Sequence, residues 1–270
     1  MPNPLTRHNP VCRGNRFSEA GKNWIARTNR AMTFGGFRVA VCVAAVALLS
    51  GAGPKPLSPA IRSIGIIAAL GDTCMFEDVP DVAFEWIKPP KAHFLEISDW
   101  GIDDEVTNTI TKQLSPRYKV QSIAIEHQDF DAWTYESLAR RIRELPIPET
   151  PVDAYLLVLR DWRHDAIGNT DHQLGGLGLY RRDRRGGADR FGVYVSYRLV
   201  LLNAINGNLI ASHPALSPDG RLPWLRAAPS LWPPNTNDPT DAQKHELQAD
   251  FLRLIDATLP PTLRLLHINS

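Results

Sequence analysis

Apolar positions along this chain fall into distinct periods, and each period predicts a different element. Residues 63–70 form an almost unbroken apolar run, the pattern of a strand buried on both faces. Residues 71–91, with Gly71-Asp72, Pro80 and Pro89-Pro90, read as a loop. Residues 92–98 alternate apolar and polar, which predicts a strand covered on one face. Asp103 and Asp104 then stand where a helix cap is needed, and Val106, Ile110 and Leu114 recur at four-residue spacing along its inner side. Pro116 ends that helix, and residues 118–125 predict a further core strand. Thr134 caps a second helix with Leu138, Ile142 and Leu145 inside and Arg140, Arg141 and Arg143 outside, closed by Pro146 and Pro148. Residues 152–159 predict another buried strand.

The second half reads differently. Three successive strands are predicted at 174–180, 192–202 and 209–212. Asn206-Gly207 joins the last two as a hairpin, since both residues tolerate positive φ. Residues 214–239 are rich in Pro and carry Trp224 and Trp232, so they are expected to wrap the surface, and either they or the hairpin 180–192 would be presented to a partner. Thr240 and Gln243 match a capping box, and a terminal helix follows over 241–258, with Leu247, Phe251, Leu254 and Ile255 inside and Pro260-Pro261 as its stop. The fold class expected is α/β, an α+β-like sandwich. It has a mixed sheet of about six or seven strands with helices mainly on one face, in one domain over residues 62–270.

A fourth pattern lies ahead of all these. Val39 to Leu49 is apolar without a charge, too short for a span of ~20 residues and suited to the core of a secretory signal. Ser50 and Ala52 are small residues placed for cleavage before Gly53, so 32–52 reads as a signal peptide and 53–61 as a Pro-rich linker. Residues 1–31 read as a disordered or untranslated leader, with Met32 an alternative start. Localisation is expected to be periplasmic or secreted. The alternative is an inner-membrane anchor at residues 39–49 with a basic tail inside.

This reading changes the charge balance. The chain carries 30 Lys and Arg against 29 Asp and Glu, and residues 1–52 hold seven of the bases and one of the acids. The remainder is therefore acidic, with a net charge of −5, which gives no support to general nucleic-acid or anionic-lipid binding. It also keeps one of the three cysteines, Cys74, so an internal disulfide is excluded there.

Four stretches resemble the small α/β domain of bacterial envelope proteins. They are Ile64-Gly-Ile-Ile-Ala, Thr111-Lys-Gln-Leu-Ser-Pro-Arg-Tyr-Lys-Val, Val152-Asp-Ala-Tyr-Leu-Leu-Val, and residues 194–211 around Asn206-Gly207. The domain is shared by the curli-secretion lipoprotein family, the amino-terminal domain of the Tol translocation beta protein, and the lipoprotein activators of penicillin-binding proteins. The resemblance covers about residues 62–213 and implies a non-catalytic periplasmic interaction domain. Its partner would be an envelope protein or envelope component, with no cofactor, no nucleic acid, and membrane contact only through an uncleaved signal segment. Unlike lipoproteins, this chain has no Cys just after the apolar run, and the segment 214–239 is additional.

Candidate chemistry concentrates after the strand at 152–159. Asp161, His164, Asp171 and His172 are the residue types that bind zinc or a similar cation, and strand ends in α/β sheets are common ligand sites. Their spacing matches no standard ligand set, so a plain polar loop is the competing reading. Gly71-Asp72-Thr73 resembles the Gly-Asp-Ser start of lipase-like hydrolases with Thr in place of Ser, and Asp161 with His164 would be its acid–base pair. Cys74 with His93 or His127 would make a dyad only if the fold brings them together. Arg181, Arg182, Arg184, Arg185 and Arg190 cluster near one hairpin tip and are the candidate partner-binding residues.

Overall fold

A computed structural model describes residues 61–79, 91–124, 140, 144, 151–182, 190–236 and 238–268. In chain order, β1 (Ser63–Ala69), β2 (Thr73–Val79) and β3 (Lys91–Glu96) precede a 3-10 turn at Ser98–Trp100 and helix α1 (Ile102–Leu114). Then come β4 (Lys119–Ser122), β5 (Ala154–Arg160), β6 (Trp162–Asp165), β7 (Thr170–Arg182) and β8 (Arg190–Asn203). Strands β9 (Leu209–Pro214) and β10 (Trp224–Arg226), a 3-10 turn at Pro229–Leu231 and helix α2 (Asp241–Leu265) complete the described order. The architecture is the expected mixed α/β one.

Among the described residues the ten strands hydrogen-bond into one mixed sheet. Strand β8 has four neighbours. Along one edge, β5 pairs with residues 197–203 and β7 with residues 190–196, both antiparallel, so the two lie end to end. The opposite edge of β8 serves β9 and β10. There Tyr197 O accepts from Ala215 after β9, and Val195 donates to Pro223 before β10. Beyond β5 come β1 and then β4, both parallel, while beyond β7 come parallel β2 and antiparallel β3.

The two helices cover one face. Ile102, Val106, Ile110 and Leu114 of α1 share a core with Leu247, Phe251, Leu254, Ile255 and Leu259 of α2. The sheet contributes Ile64, Ile66, Leu156, Val193, Val195 and Leu199 to the same cluster. The opposite face is built from the alternate side chains. Ile67, Tyr155, Leu157 and Val200 lie over its β1–β5 half, and Met75, Val79, Tyr180 and Tyr194 over its β2–β7 half.

Several elements differ from the sequence reading. Residues 73–79, expected to be loop, form β2, whose Cys74 and Phe76 face the helices while Met75, Glu77 and Val79 face the other way. Asp103 does not cap α1. The N-cap is Gly101 in the left-handed region at φ 65°, and the Asp103 carboxylate accepts the amides of Leu70 (2.9 Å) and Gly71 (3.1 Å), closing the end of β1 instead. Strand β3 is largely exposed and β4 is a short, part-exposed strand rather than a core one. The β8–β9 connection spans residues 204–208, and of Asn206 and Gly207 only the glycine takes positive φ, 70°. The second predicted helix, the apolar run at 39–49 and the tip of the Arg-rich hairpin lie outside the described residues, apart from helical positions at 140 and 144.

Helix α2 has the expected capping box at Thr240 and Gln243 but runs through Pro260 and Pro261 to Leu265. Proline inside a helix costs ~3 kcal/mol or more, chiefly through the lost i→i−4 bond. Here the carbonyls left without a donor belong to Asp256 and Ala257, both exposed and open to water. Leu259, Leu263, Leu266 and Ile268 are buried on either side of the break, and burying each such side chain is worth roughly 1.5–3 kcal/mol.

Asp153 ties the starts of β1 and β5 together. Its Oδ2 accepts Arg62 N (2.8 Å), Ser63 N (2.9 Å) and Ser63 Oγ (2.9 Å). The Arg62 amide first, then the Ser63 hydroxyl, holds its carboxyl below the usual range. A carboxylate depressed in the folded state stabilises above its unfolded pKa, and that contribution is lost as pH falls through the folded value. Asp153→Asn is expected to lower stability by about 1 kcal/mol at pH 7 in urea unfolding, and the gap should close on acidification below about pH 3.9.

Candidate functional site

Strand β7 serves two sets of partners because it turns at Gly176, where φ is 64°. Its first part pairs with β6 as a hairpin, and its second part pairs with β2 and β8. The hairpin lays Ile167 and Leu174 over the second face of the sheet. Its turn is held from inside by the fully buried Asp165, whose carboxylate accepts Gly168 N (2.7 Å), Thr170 Oγ1 (2.7 Å) and Tyr180 Oη (3.0 Å). Buried Arg182 donates from Nη1 to the carbonyl of Gly168. A Cβ at Gly168 would stand 2.0 Å from Tyr180 Oη and 2.8 Å from Arg182 Nη1, so only glycine fits.

Burial, and then the Asp165 charge, pushes the Tyr180 hydroxyl well up, which keeps it a donor at neutral pH. Burial followed by the Glu77 charge raises Tyr194 in the same way. Tyr194 lies across Gly178, its register partner on β7, where a Cβ would meet the ring at 2.3 Å. An aromatic ring laid over an opposing glycine thus lets this Gly-rich strand pack closely.

The predicted metal residues do not converge. Asp161 is engaged by the guanidinium of Arg198, with Nε to Oδ1 and Nη2 to Oδ2 both at 3.3 Å. His164 pairs in register with Gln173, on the hairpin face away from Leu174, and is exposed. His172 turns inward, its Nε2 2.9 Å from Oε2 of buried Glu77. The side chain of Asp171 lies outside the described residues. Among the described residues no group of three His, Cys, Asp or Glu side chains is arranged to hold a metal ion. Thr73 opens β2, and Cys74 is fully buried, which raises its thiol pKa far above neutrality. His93 is exposed on β3, and His127 lies outside the described residues.

The five candidate arginines also divide. Arg181 faces the helices, forked onto Asp78 at 2.7 and 3.2 Å, with its guanidinium carbon 4.4 Å from the ring centre of Trp232. Arg182 is the internal tie already described. Arg184 and Arg185 lie outside the described residues. Arg190 lines an open cavity of about 560 Å³, together with Arg221, Arg226, Trp224, Phe191 and Asp219. The sequence reading offers the segment 214–239 as a partner surface but does not single out Arg221 and Arg226 within it. Strand β10 brings Arg226 opposite Gly192 on β8, and a three-residue strand beside prolines leaves no periodic signal.

No protein-family model matches the chain, and no curated protein matches it. Two solved structures are similar in outline. One is a Xanthomonas campestris protein of the family model DUF330, at 11% identity and TM-score 0.33, covering 77% of this chain and 89% of that one. The other is a lipoprotein from Neisseria meningitidis, at 14% identity and TM-score 0.26, covering 72% and 99%. At these scores the likeness is coarse and carries no argument about fold or function. The expected resemblance to envelope lipoproteins is met only at that level.

Gly168→Ala is expected to cost about 1–3 kcal/mol in urea unfolding, because the added methyl must displace Tyr180 or Arg182 from a packed polar cluster. An unchanged midpoint would mean that the cluster yields freely.

Proposed function

We propose that the chain is an exported, non-catalytic protein of the bacterial envelope that acts by binding an anionic envelope component or partner. The observation that carries the binding half is the open cavity lined by Arg190, Arg221 and Arg226, on a domain whose sequence beyond position 52 is net acidic. A local excess of guanidinium groups on an acidic domain favours an anionic partner. The export half rests on the apolar run at 39–49 and the small residues Ser50 and Ala52. Among the described residues no helix is long and apolar enough to cross a membrane.

The competing reading is a hydrolase or metal-dependent enzyme using Asp161, His164 and His172. The observation in its favour is that buried Glu77 orients the His172 imidazole, as a carboxylate orients a catalytic base. His164→Ala combined with His172→Ala would abolish an enzyme's activity and leave binding through the arginine-lined cavity intact.

Two measurements test the proposal. Fractionation with mass spectrometry of the amino terminus is expected to find the protein in the periplasm, starting at Gly53. A photo-crosslinking residue in place of Trp224 is expected to give a defined envelope adduct that is lost with Arg226→Glu. A cytosolic chain retaining residues 32–52 would overturn the export half.

A further inference from the structure

We infer that the cavity between β8, β10 and the β6–β7 turn binds a phosphate-bearing ligand that also has an apolar or ring portion. This deepens the binding reading above and rests on it only for the compartment in which the ligand is met. Three guanidinium groups line the cavity, and Asp219 is the one carboxylate among its lining residues. Asp219 is exposed and already has neighbours of its own. Its carboxylate accepts from the Ser217 hydroxyl and lies 3.5 Å from Arg221 Nε, and the Ser217 hydroxyl is the main reason its pKa is lowered.

Arg190 and Arg226 have no carboxylate partner among the described residues. Like charges around one cavity repel, and an anion with several oxygens relieves that repulsion by accepting from more than one fork. Each carboxylate offers two coplanar oxygens to a single fork, so citrate must spread its three groups to match three arginines, whereas one tetrahedral phosphate can bridge two or three of them. Apart from Ser217, the uncharged part of the lining is apolar. Ile167 and Leu222 are buried, Phe191 is nearly so, and Trp224 is 38% exposed. The Trp224 ring lies over Gly192, where a Cβ would meet it at 2.7 Å, so the glycine keeps the aromatic wall in place. A volume of about 560 Å³ is in the range of small-molecule sites, ~300–1,000 Å³. The residues come from separate elements: Arg190 begins β8, Arg226 ends β10, and Arg221 follows the turn at Gly220.

The test uses the protein expressed with its own leader and purified as the cell processes it. Calorimetry would measure pyrophosphate and citrate, and flotation would measure vesicles of phosphatidylglycerol with phosphatidylcholine against phosphatidylcholine alone. Pyrophosphate is expected to bind at least tenfold more tightly than citrate, and Arg190→Gln with Arg226→Gln to weaken it at least tenfold. Arg226→Gln alone, at an exposed position, repeats the test if the double variant unfolds. Flotation only with phosphatidylglycerol, lost in the same variants, would assign the phosphate to a lipid headgroup. Pyrophosphate binding without flotation would assign it to a soluble phosphate. No binding to either probe, equal binding of citrate, or binding indifferent to both arginines would overturn the inference. Any of these leaves the export reading standing, and a cytosolic protein that binds pyrophosphate would sink export alone.

Discussion

Strand β8 is the element on which the rest of the sheet depends. Its backbone serves β5 and β7 along one edge and β9 and β10 along the other, so four strands each lose a partner if it is displaced. Its side chains are divided just as strictly. Phe191, Val193, Val195, Tyr197, Leu199 and Leu201 enter the helix-side core, while Tyr194, Val200 and Leu202 serve the other face. A shift of one residue would exchange the two sets, which makes the register strongly specified.

The two faces use different physics. The helix side is mainly apolar, with Tyr197 bonded to Thr258 of α2 at 2.9 Å and Arg181 forked onto Asp78 as polar exceptions. The side under the β6–β7 hairpin buries Glu77, Asp165 and Arg182. Burying such groups is expensive unless each is bonded, and it gives geometry rather than net stability. What it gives here is a fixed turn at 165–170, and Ala166 and Ile167 of that turn form one wall of the arginine-lined cavity.

Strands β1, β5 and β8 are legible in the sequence because long apolar runs leave little choice of structure, and β9 because Asn206-Gly207 marks a turn before it. Strand β2 is not, since Gly71-Asp72 before it and Pro80 after it read as loop. Glu77 is buried against His172, which lies 95 positions later in the chain. The end of α2 is hidden because Pro260-Pro261 is a local stop, and the burial of Leu263 and Leu266 beyond it is a tertiary effect. Asp161, His164 and His172 are visible as residue types, but strand pairing decides where each points. The arginine-lined cavity is half visible, in Arg190, because Arg221 and Arg226 join it through the fold rather than through spacing.

The late position of β8 has a consequence for how the chain comes into being. Strands β1 and β5 pair across some 90 residues, as the 90-position separation of Ser63 and Asp153 shows, and neither β5 nor β7 has its central neighbour until residue 203 has been made. Pairings this distant in sequence close slowly, because the loop entropy is paid before the contacts form. Until β8 is made, β1 can pair with β4 and β2 with β3, but the two halves have nothing to join them, so the middle of the sheet is the last part to close.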